Sequence, residues 1–233
     1  MTSYNMGIER NFKYVLDRVN EVACRCGRDA DDINIVAVTK NVDVKNILDA
    51  IDLGIHNIGE NRVQEFRAKY ELIEEPVNWH FIGNLQSNKV KYIVDKVALV
   101  HSLDRMSLAT ELDKRGRKVD RIIPTLVQVN VSEESTKGGV LEEELFPFIE
   151  AISNFEYIRV KGFMTIAPHT SDEGKIRSCF SRLRELYEDV NERQYKNVDM
   201  QYLSMGMTND FEIAIEEGSN MIRIGRALFG DRM

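Results

Sequence analysis

Short apolar, β-prone runs and amphipathic helical stretches alternate eight times along this chain, and that alternation decides which folds are open to it. The predicted strands are Ile33–Val38, Ile55–Ile58, Asn78–Ile82, Val97–Val100, Ile122–Val129, Ile158–Phe163, Met200–Leu203 and Met221–Ile224. Between them, stripes such as Val44, Ile47, Leu48 and Ile51, or Ile176, Cys179, Phe180, Leu183 and Leu186, carry the spacing of one helix face. Another such stripe, Phe12, Val15, Leu16, Val19, Val22 and Ala23, precedes the first strand. Strict βα alternation implies parallel strands, and eight units in slightly under ~250 residues match a closed barrel. The expected fold is therefore α/β: a single TIM (β/α)8 barrel with an extra N-terminal helix, one domain spanning residues 1–233. An open doubly wound sheet is the alternative.

Composition narrows the function. Hydrophobic residues make up 43% and charged residues 30%, enough for a core beneath a solvated surface. A formal net charge of −7 argues against non-specific nucleic-acid binding, which needs many phosphate-facing cations. Cys24, Cys26 and Cys179 are too few and too irregular for a disulfide framework, and Cys24-Arg25-Cys26 lacks a second pair for zinc. The start, Met1-Thr2-Ser3-Tyr4-Asn5, has no basic-then-apolar signal, and no apolar run reaches membrane-spanning length. These features lead us to expect a cytoplasmic protein with no nucleic-acid or membrane partner.

Residues just past the strands form a rim rich in small and polar side chains: Thr39 and Lys40, Gly59 to Asn61, Gly83 and Asn84, His101 and Ser102, Asn130, Met164, Ser204, Gly206, Gly225 and Arg226. The amino-terminal strand ends show no comparable set. Functional residues of such barrels gather at the carboxyl rim. The last two units are the most specific. Leu203-Ser204-Met205-Gly206-Met207-Thr208 and Ile222-Arg223-Ile224-Gly225-Arg226 each bring a glycine to a strand–helix junction, with Ser204 and Thr208 offering hydroxyls. Loops after the seventh and eighth strands commonly bind phosphate, although a glycine in each turn can serve turn geometry alone. Lys40 ends the first strand, either as a return to solvent or as an amine able to capture a phosphorylated aldehyde as a Schiff base. Arg223 should point into the barrel by alternation and needs a partner. The pyridine nitrogen of pyridoxal 5′-phosphate is one candidate, and an ion pair with Glu60 or Asp210 is the other.

At these residues the chain resembles the pyridoxal phosphate homeostasis proteins, which share the barrel of the alanine racemase amino-terminal domain. The resemblance rests on Val36-Ala37-Val38-Thr39-Lys40, Gly59-Glu60-Asn61, His80-Phe81-Ile82-Gly83-Asn84-Leu85-Gln86 with Asn88-Lys89, and Asn130-Val131-Ser132 with Lys137-Gly138. Gly162-Phe163-Met164-Thr165-Ile166-Ala167-Pro168, Leu203-Ser204-Met205-Gly206-Met207 and Arg223-Ile224-Gly225 with Phe229-Gly230 complete it. It implies that Lys40 carries pyridoxal 5′-phosphate covalently. Ser204, Gly206, Met207 and Gly225 would hold the phosphate, Arg223 would face the pyridine nitrogen, and Asn61 would flank the ring. Thr39 and Thr208 stand where serine is frequent, Asn41 where threonine is common, and Phe163 where leucine is usual.

Two functions fit a lysine-bound cofactor. One is a binder that stores, buffers or delivers the cofactor in vitamin B6 homeostasis without turnover, with apo forms of dependent enzymes as candidate partners. The other is a small amino-acid racemase, which needs a second base beside Lys40. In alanine racemases that base is a tyrosine from a further domain and a dimer partner. The chain ends at Met233 with no length for that domain, so a non-enzymatic monomer is expected, with His80, His101 and the tyrosines as the remaining candidate bases. A Schiff-base aldolase is a third reading and predicts no bound chromophore.

Overall fold

The computed structural model describes residues 5–132 and 138–230; Lys137 of the quoted motif and the two chain ends lie outside that range. All eight predicted strands form. They are β1 (Asn34–Val38), β2 (Asn57–Glu60), β3 (Asn78–Phe81), β4 (Leu99–Leu103), β5 (Ile123–Asn130), then, after the short β6 (Val140–Leu141), β7 (Ile158–Met164), β8 (Val198–Met207) and β9 (Met221–Ile224). Their order is β4-β3-β2-β1-β9-β8-β7-β5, every pairing is parallel, and β4 pairs with β5 to close the ring. β6 lies beside the end of β5. The TIM barrel replaces the open-sheet alternative.

The surrounding helices are α1 (Asn5–Arg25), α2 (Val44–Asp52), α3 (Val63–Tyr70), α4 (Met106–Lys118), α5 (Glu142–Ile152), α6 (Glu173–Glu192), α7 (Phe211–Glu216) and α8 (Arg226–Phe229). Their buried stripes are those the periodicity predicts: in α6, Ile176, Cys179, Phe180, Leu183, Leu186 and Val190 face the sheet, and Asp172 caps its start by accepting from the Lys175 amide. α1 is the extra helix, and its Val15, Val19 and Val22 pack with Ala37, Ile222 and Ile224 on the outside of β1 and β9. One predicted helix differs. Ser87–Tyr92 is a 3-10 segment, although Val90, Ile93 and Val94 are buried as expected. Spacings of three and four residues report burial and do not separate the two helix types.

Alternation sorts side chains between two environments. Trp79, Phe81, Phe163, Leu203 and Met205 belong to the core between strands and helices, where Phe163 meets Tyr187 edge-on at 6.4 Å between ring centroids. Inside the ring, Val36, Leu99, Leu126, Met164 and Met221 form a small apolar cluster with Tyr202. In most TIM barrels branched aliphatic residues fill this space. Here His80, His101, Ser204 and Arg223 are buried there as well. A polar axis inside a closed barrel has to be hydrogen-bonded along its length, and here His80, His101, Ser204 and Arg223 are joined one to the next.

Among the described residues no helix is long and apolar enough to cross a membrane, and no cluster of His, Cys, Asp or Glu is arranged to hold a metal. Cys24 and Cys26 are exposed, and Cys179 is buried in the α6 stripe.

Candidate functional site

Arg223 is the third residue of β9, opposite Val36 of β1 and Met207 of β8. Its guanidinium is buried, donating from Nη1 to the Ser204 carbonyl at 2.7 Å and to Ser204 Oγ at 2.8 Å, and from Nη2 to the Thr165 carbonyl at 2.8 Å. The ion pair with Glu60 or Asp210 that would explain this residue structurally is not formed among the described residues. Burial lowers the Arg223 pKa to about 10, opposed by Asp210, so the group stays cationic at neutral pH. Guanidinium has five N–H donors in a rigid fork, so the Nε–H and one Nη2–H are left for a ligand.

Beside Arg223 is a cavity of about 400 Å³ at the carboxyl rim. Arg223 lines it with Val38 from β1, Ala167 and Pro168 from the loop after β7, Met207 and Thr208 at the end of β8, and Gly225 and Arg226 after β9. Thr208 Oγ1 accepts from the Ala227 amide at 3.2 Å, tying the two final loops together. Asp210 accepts from the Met207 amide at 2.5 Å, and burial raises its pKa. Gly206 has a packing role. It lies within β8 at φ 95°, and a Cβ there would come 2.6 Å from the Ala214 Cβ and 2.9 Å from the Phe211 Cα. The glycine lets β8 press against α7.

Lys40 leaves β1 two residues beyond Val38, half-buried, in a turn closed by the Val42 amide donating to the Thr39 carbonyl at 2.9 Å. Asn41 sits in the left-handed region at φ 56°, a conformation asparagine tolerates and β-branched threonine resists. A buried shell holds this turn. Lys69 of α3 donates from Nζ to the Thr39 carbonyl and to Glu60 Oε1, both at 2.6 Å, and Thr39 Oγ1 donates to the same oxygen at 2.6 Å. Glu65 accepts from the Asn41 amide at 2.9 Å. Lys69 and Glu65 carry no signal of this role in the sequence, because a lysine and a glutamate on a helix are ordinarily solvated.

Asn61 follows β2 and lines a neighbouring cleft of about 520 Å³ with Arg62, Asn84, Gln86 and Lys89. Among the described residues its Oδ1 is buried without a hydrogen-bond partner, as are Glu60 Oε2 and Ser102 Oγ. Gly83 brings the next loop onto Asn61: a Cβ there would lie 2.2 Å from the Asn61 carbonyl oxygen. The structure thus gathers Arg223, Met207 and Gly225 at one cavity, sets Ser204 directly beneath it, and places Asn61 at a second cleft.

Two expectations are corrected. His101 and Ser102 are not rim residues: β4 runs on to Leu103, and both are fully buried. His101 Nδ1 lies 3.1 Å from Ser204 Oγ, and its Nε2 lies 2.9 Å from His80 Nδ1. Nor are the amino-terminal strand ends bare. Asn34, Asn57, Asn78, His80, Lys161, Gln201 and Tyr202 border a polar cavity of about 340 Å³ there. Single asparagines opening short strands look like turn punctuation one by one, and only ring closure brings them together.

Residues 16–233 match the family model of the alanine racemase N-terminal domain. A pyridoxal phosphate homeostasis protein of Aquifex aeolicus is 44% identical over 219 residues, covering 94% of this chain and 95% of that protein. The chain belongs to the pyridoxal phosphate homeostasis protein family. Among solved structures, an unknown protein from Bifidobacterium adolescentis superposes with a TM-score of 0.93 at 33% identity, covering 98% of this chain and 97% of that one. PipY of Synechococcus elongatus, solved with pyridoxal 5′-phosphate bound, gives a TM-score of 0.81 at 29% identity, covering 91% of this chain and all 100% of PipY. Curated relatives in the family are named as homeostasis proteins and not as enzymes.

The residues present fit that cofactor. The rim cavity is of the size small-molecule sites take. Its lining includes a cation with unused N–H donors and the two loops tied by Thr208, while Lys40 follows the lining residue Val38 by two positions and is not itself in the lining.

Proposed function

We propose that this chain holds pyridoxal 5′-phosphate as a Schiff base on Lys40, and that it stores, buffers or delivers the cofactor inside the cell without turning over a substrate. The observation that carries this reading is Arg223, a buried guanidinium with unused donors at the floor of the rim cavity. An acceptor such as a pyridine nitrogen, with its one lone pair, satisfies one of those donors. A permanent cation there disfavours protonating the ring nitrogen and weakens the ring as an electron sink, which suits holding the cofactor better than most carbanion chemistry. The phosphate is assigned to the Met207–Thr208 and Gly225–Arg226 loops. Ser204 contributes through Arg223, because its hydroxyl is fully buried beneath the cavity. Asn61 flanks the ring from the neighbouring cleft, Gly206 shapes β8, and Lys40 supplies the amine. The partners are the cofactor itself and apo forms of the enzymes that use it, with the protein acting as a monomer in the cytoplasm.

The racemase alternative needs a second proton-transfer group facing the cofactor. His80 and His101 are unsuited, since both nitrogens of each ring are taken by hydrogen bonds inside the barrel. Tyr202 borders the opposite, amino-terminal cavity. Incubating the holo-protein with a panel of L-amino acids in deuterated water tests the distinction. No α-proton exchange above the rate of free cofactor is expected. Exchange at enzymatic rates that disappears in Lys40→Ala would establish an enzyme instead.

A further inference from the structure

The polar axis of the barrel is a single hydrogen-bonded chain. Arg223 Nη1 donates to Ser204 Oγ at 2.8 Å, Ser204 Oγ lies 3.1 Å from His101 Nδ1, and His101 Nε2 lies 2.9 Å from His80 Nδ1. His80 Nε2 lies 3.3 Å from Asn57 Oδ1, which also accepts from Asn78 Nδ2 at 3.1 Å. The chain crosses the barrel from the amino-terminal cavity, where His80, Asn57 and Asn78 are lining residues, to the floor of the rim cavity at Arg223.

Only one direction of donation satisfies both ends. Arginine can only donate, so one lone pair of Ser204 Oγ is occupied and its proton needs an acceptor. His101 Nδ1 is that acceptor, which puts the imidazole proton on Nε2. That proton goes to His80 Nδ1, and the His80 proton on Nε2 goes to Asn57. In the opposite direction the serine proton would have no acceptor among the described residues, and a bare His80 nitrogen would face the Asn57 carbonyl oxygen. Buried polar atoms left in that state are disfavoured.

We propose that His101, backed by His80, is a positioning residue for the cofactor site: its unprotonated Nδ1 orients the Ser204 hydroxyl, and through it holds Arg223 with its free donors facing the rim cavity. Ser204 is the hinge of the arrangement. Its hydroxyl and its carbonyl both accept from Arg223, and the Thr165 carbonyl fixes the other guanidinium nitrogen. Without His101 the serine hydroxyl is free to rotate its proton toward the guanidinium, and that support for Arg223 is lost. The inference rests on the cofactor reading above, but the tautomer it requires belongs to the protein alone.

Two measurements test it. Nitrogen-15 NMR of the imidazoles in the cofactor-free protein should show His101 and His80 both neutral, with the proton on Nε2. A proton on Nδ1 of His101 would overturn the proposal. In the second, His101→Leu is expected to weaken pyridoxal 5′-phosphate binding by about 10-fold, as loss of a supporting hydrogen bond behind a ligand commonly does, and to shift the visible absorption band of the bound cofactor. His101→Asn, whose Oδ1 stands close to the position of Nδ1, should restore affinity to within about threefold and recover the band. Wild-type affinity and an unchanged band in the leucine variant would refute the positioning role. Should that variant fail to fold, the asparagine variant and the tautomers decide: an asparagine variant as weak as an Arg223→Leu control counts against it. A wild-type protein that takes up no cofactor overturns the cofactor reading and the purpose given to the chain, while the NMR result still reports its direction.

Discussion

Replacing Lys69 by methionine should lower the unfolding free energy by about 3–5 kcal/mol, the cost of leaving a buried charge without its partner. Glu60 is fully buried, Lys69 keeps only 10% of its side chain exposed, and their contact at 2.6 Å joins α3 to the end of β2. The same ammonium holds the Thr39 carbonyl at 2.6 Å, with Glu65 3.6 Å away. The substitution therefore strips a donor from a buried carbonyl and a carboxylate together. Urea unfolding should show a lower midpoint at unchanged slope. The double variant Glu60→Gln with Lys69→Met should recover part of the loss, because the uncompensated charge is gone. A loss under about 1 kcal/mol, the scale of a solvated surface pair, would show that the pair is not closed in solution. Because this shell holds the Lys40 turn, the single variant should also retain cofactor poorly at temperatures where it is still folded.

Acidification should cost roughly 3 kcal/mol between about pH 6.5 and pH 4, the equivalent of the His80 shift at 1.36 kcal/mol per unit. Burial lowers His80 from an ordinary 6.5 to about 4. His101 is pushed the same way, by burial first and then by His80 and Arg223. A depressed histidine means that the unfolded chain binds more protons across this window. Stability is then complete above the unfolded value and falls as pH drops toward the folded one. Asp210 works in the opposite sense, since burial raises its pKa and the folded state takes up its proton sooner. Equilibrium unfolding measured at steps from pH 7.5 to 4 should trace the fall, and His80→Asn should make it shallower while the buried His101 keeps part of it. A wild-type profile flat across that window would mean that the two rings are already hydrated.

Much of the fold is legible because period-two and helical spacings report burial directly. The eight strands, the extra helix and the inward direction of Arg223 all follow from alternation. What alternation cannot supply is where a strand ends when its last residues are polar. Ser204 and Gly206 look like loop residues, yet β8 continues through them, because backbone pairing with β7 and β9 does not depend on side-chain hydropathy. His101 was placed on the rim for the same reason. The final glycines mark the rim loops in the sequence, but nothing there marks the shell behind Lys40. Lys69 and Glu65 occupy helix positions whose sequence context is that of ordinary surface charge. Their burial depends on how closely α3 packs over β2, which only the three-dimensional arrangement reveals.

The central claim is that Lys40 is the point of attachment. Borohydride reduction of protein loaded with pyridoxal 5′-phosphate, followed by proteolysis and peptide mass spectrometry, tests it directly. One phosphopyridoxyl group on the peptide containing Lys40, absent from Lys40→Ala, is the expected result. Stoichiometric label on Lys69, Lys89 or another lysine with Lys40 unmodified, or no label at saturating cofactor, would contradict it.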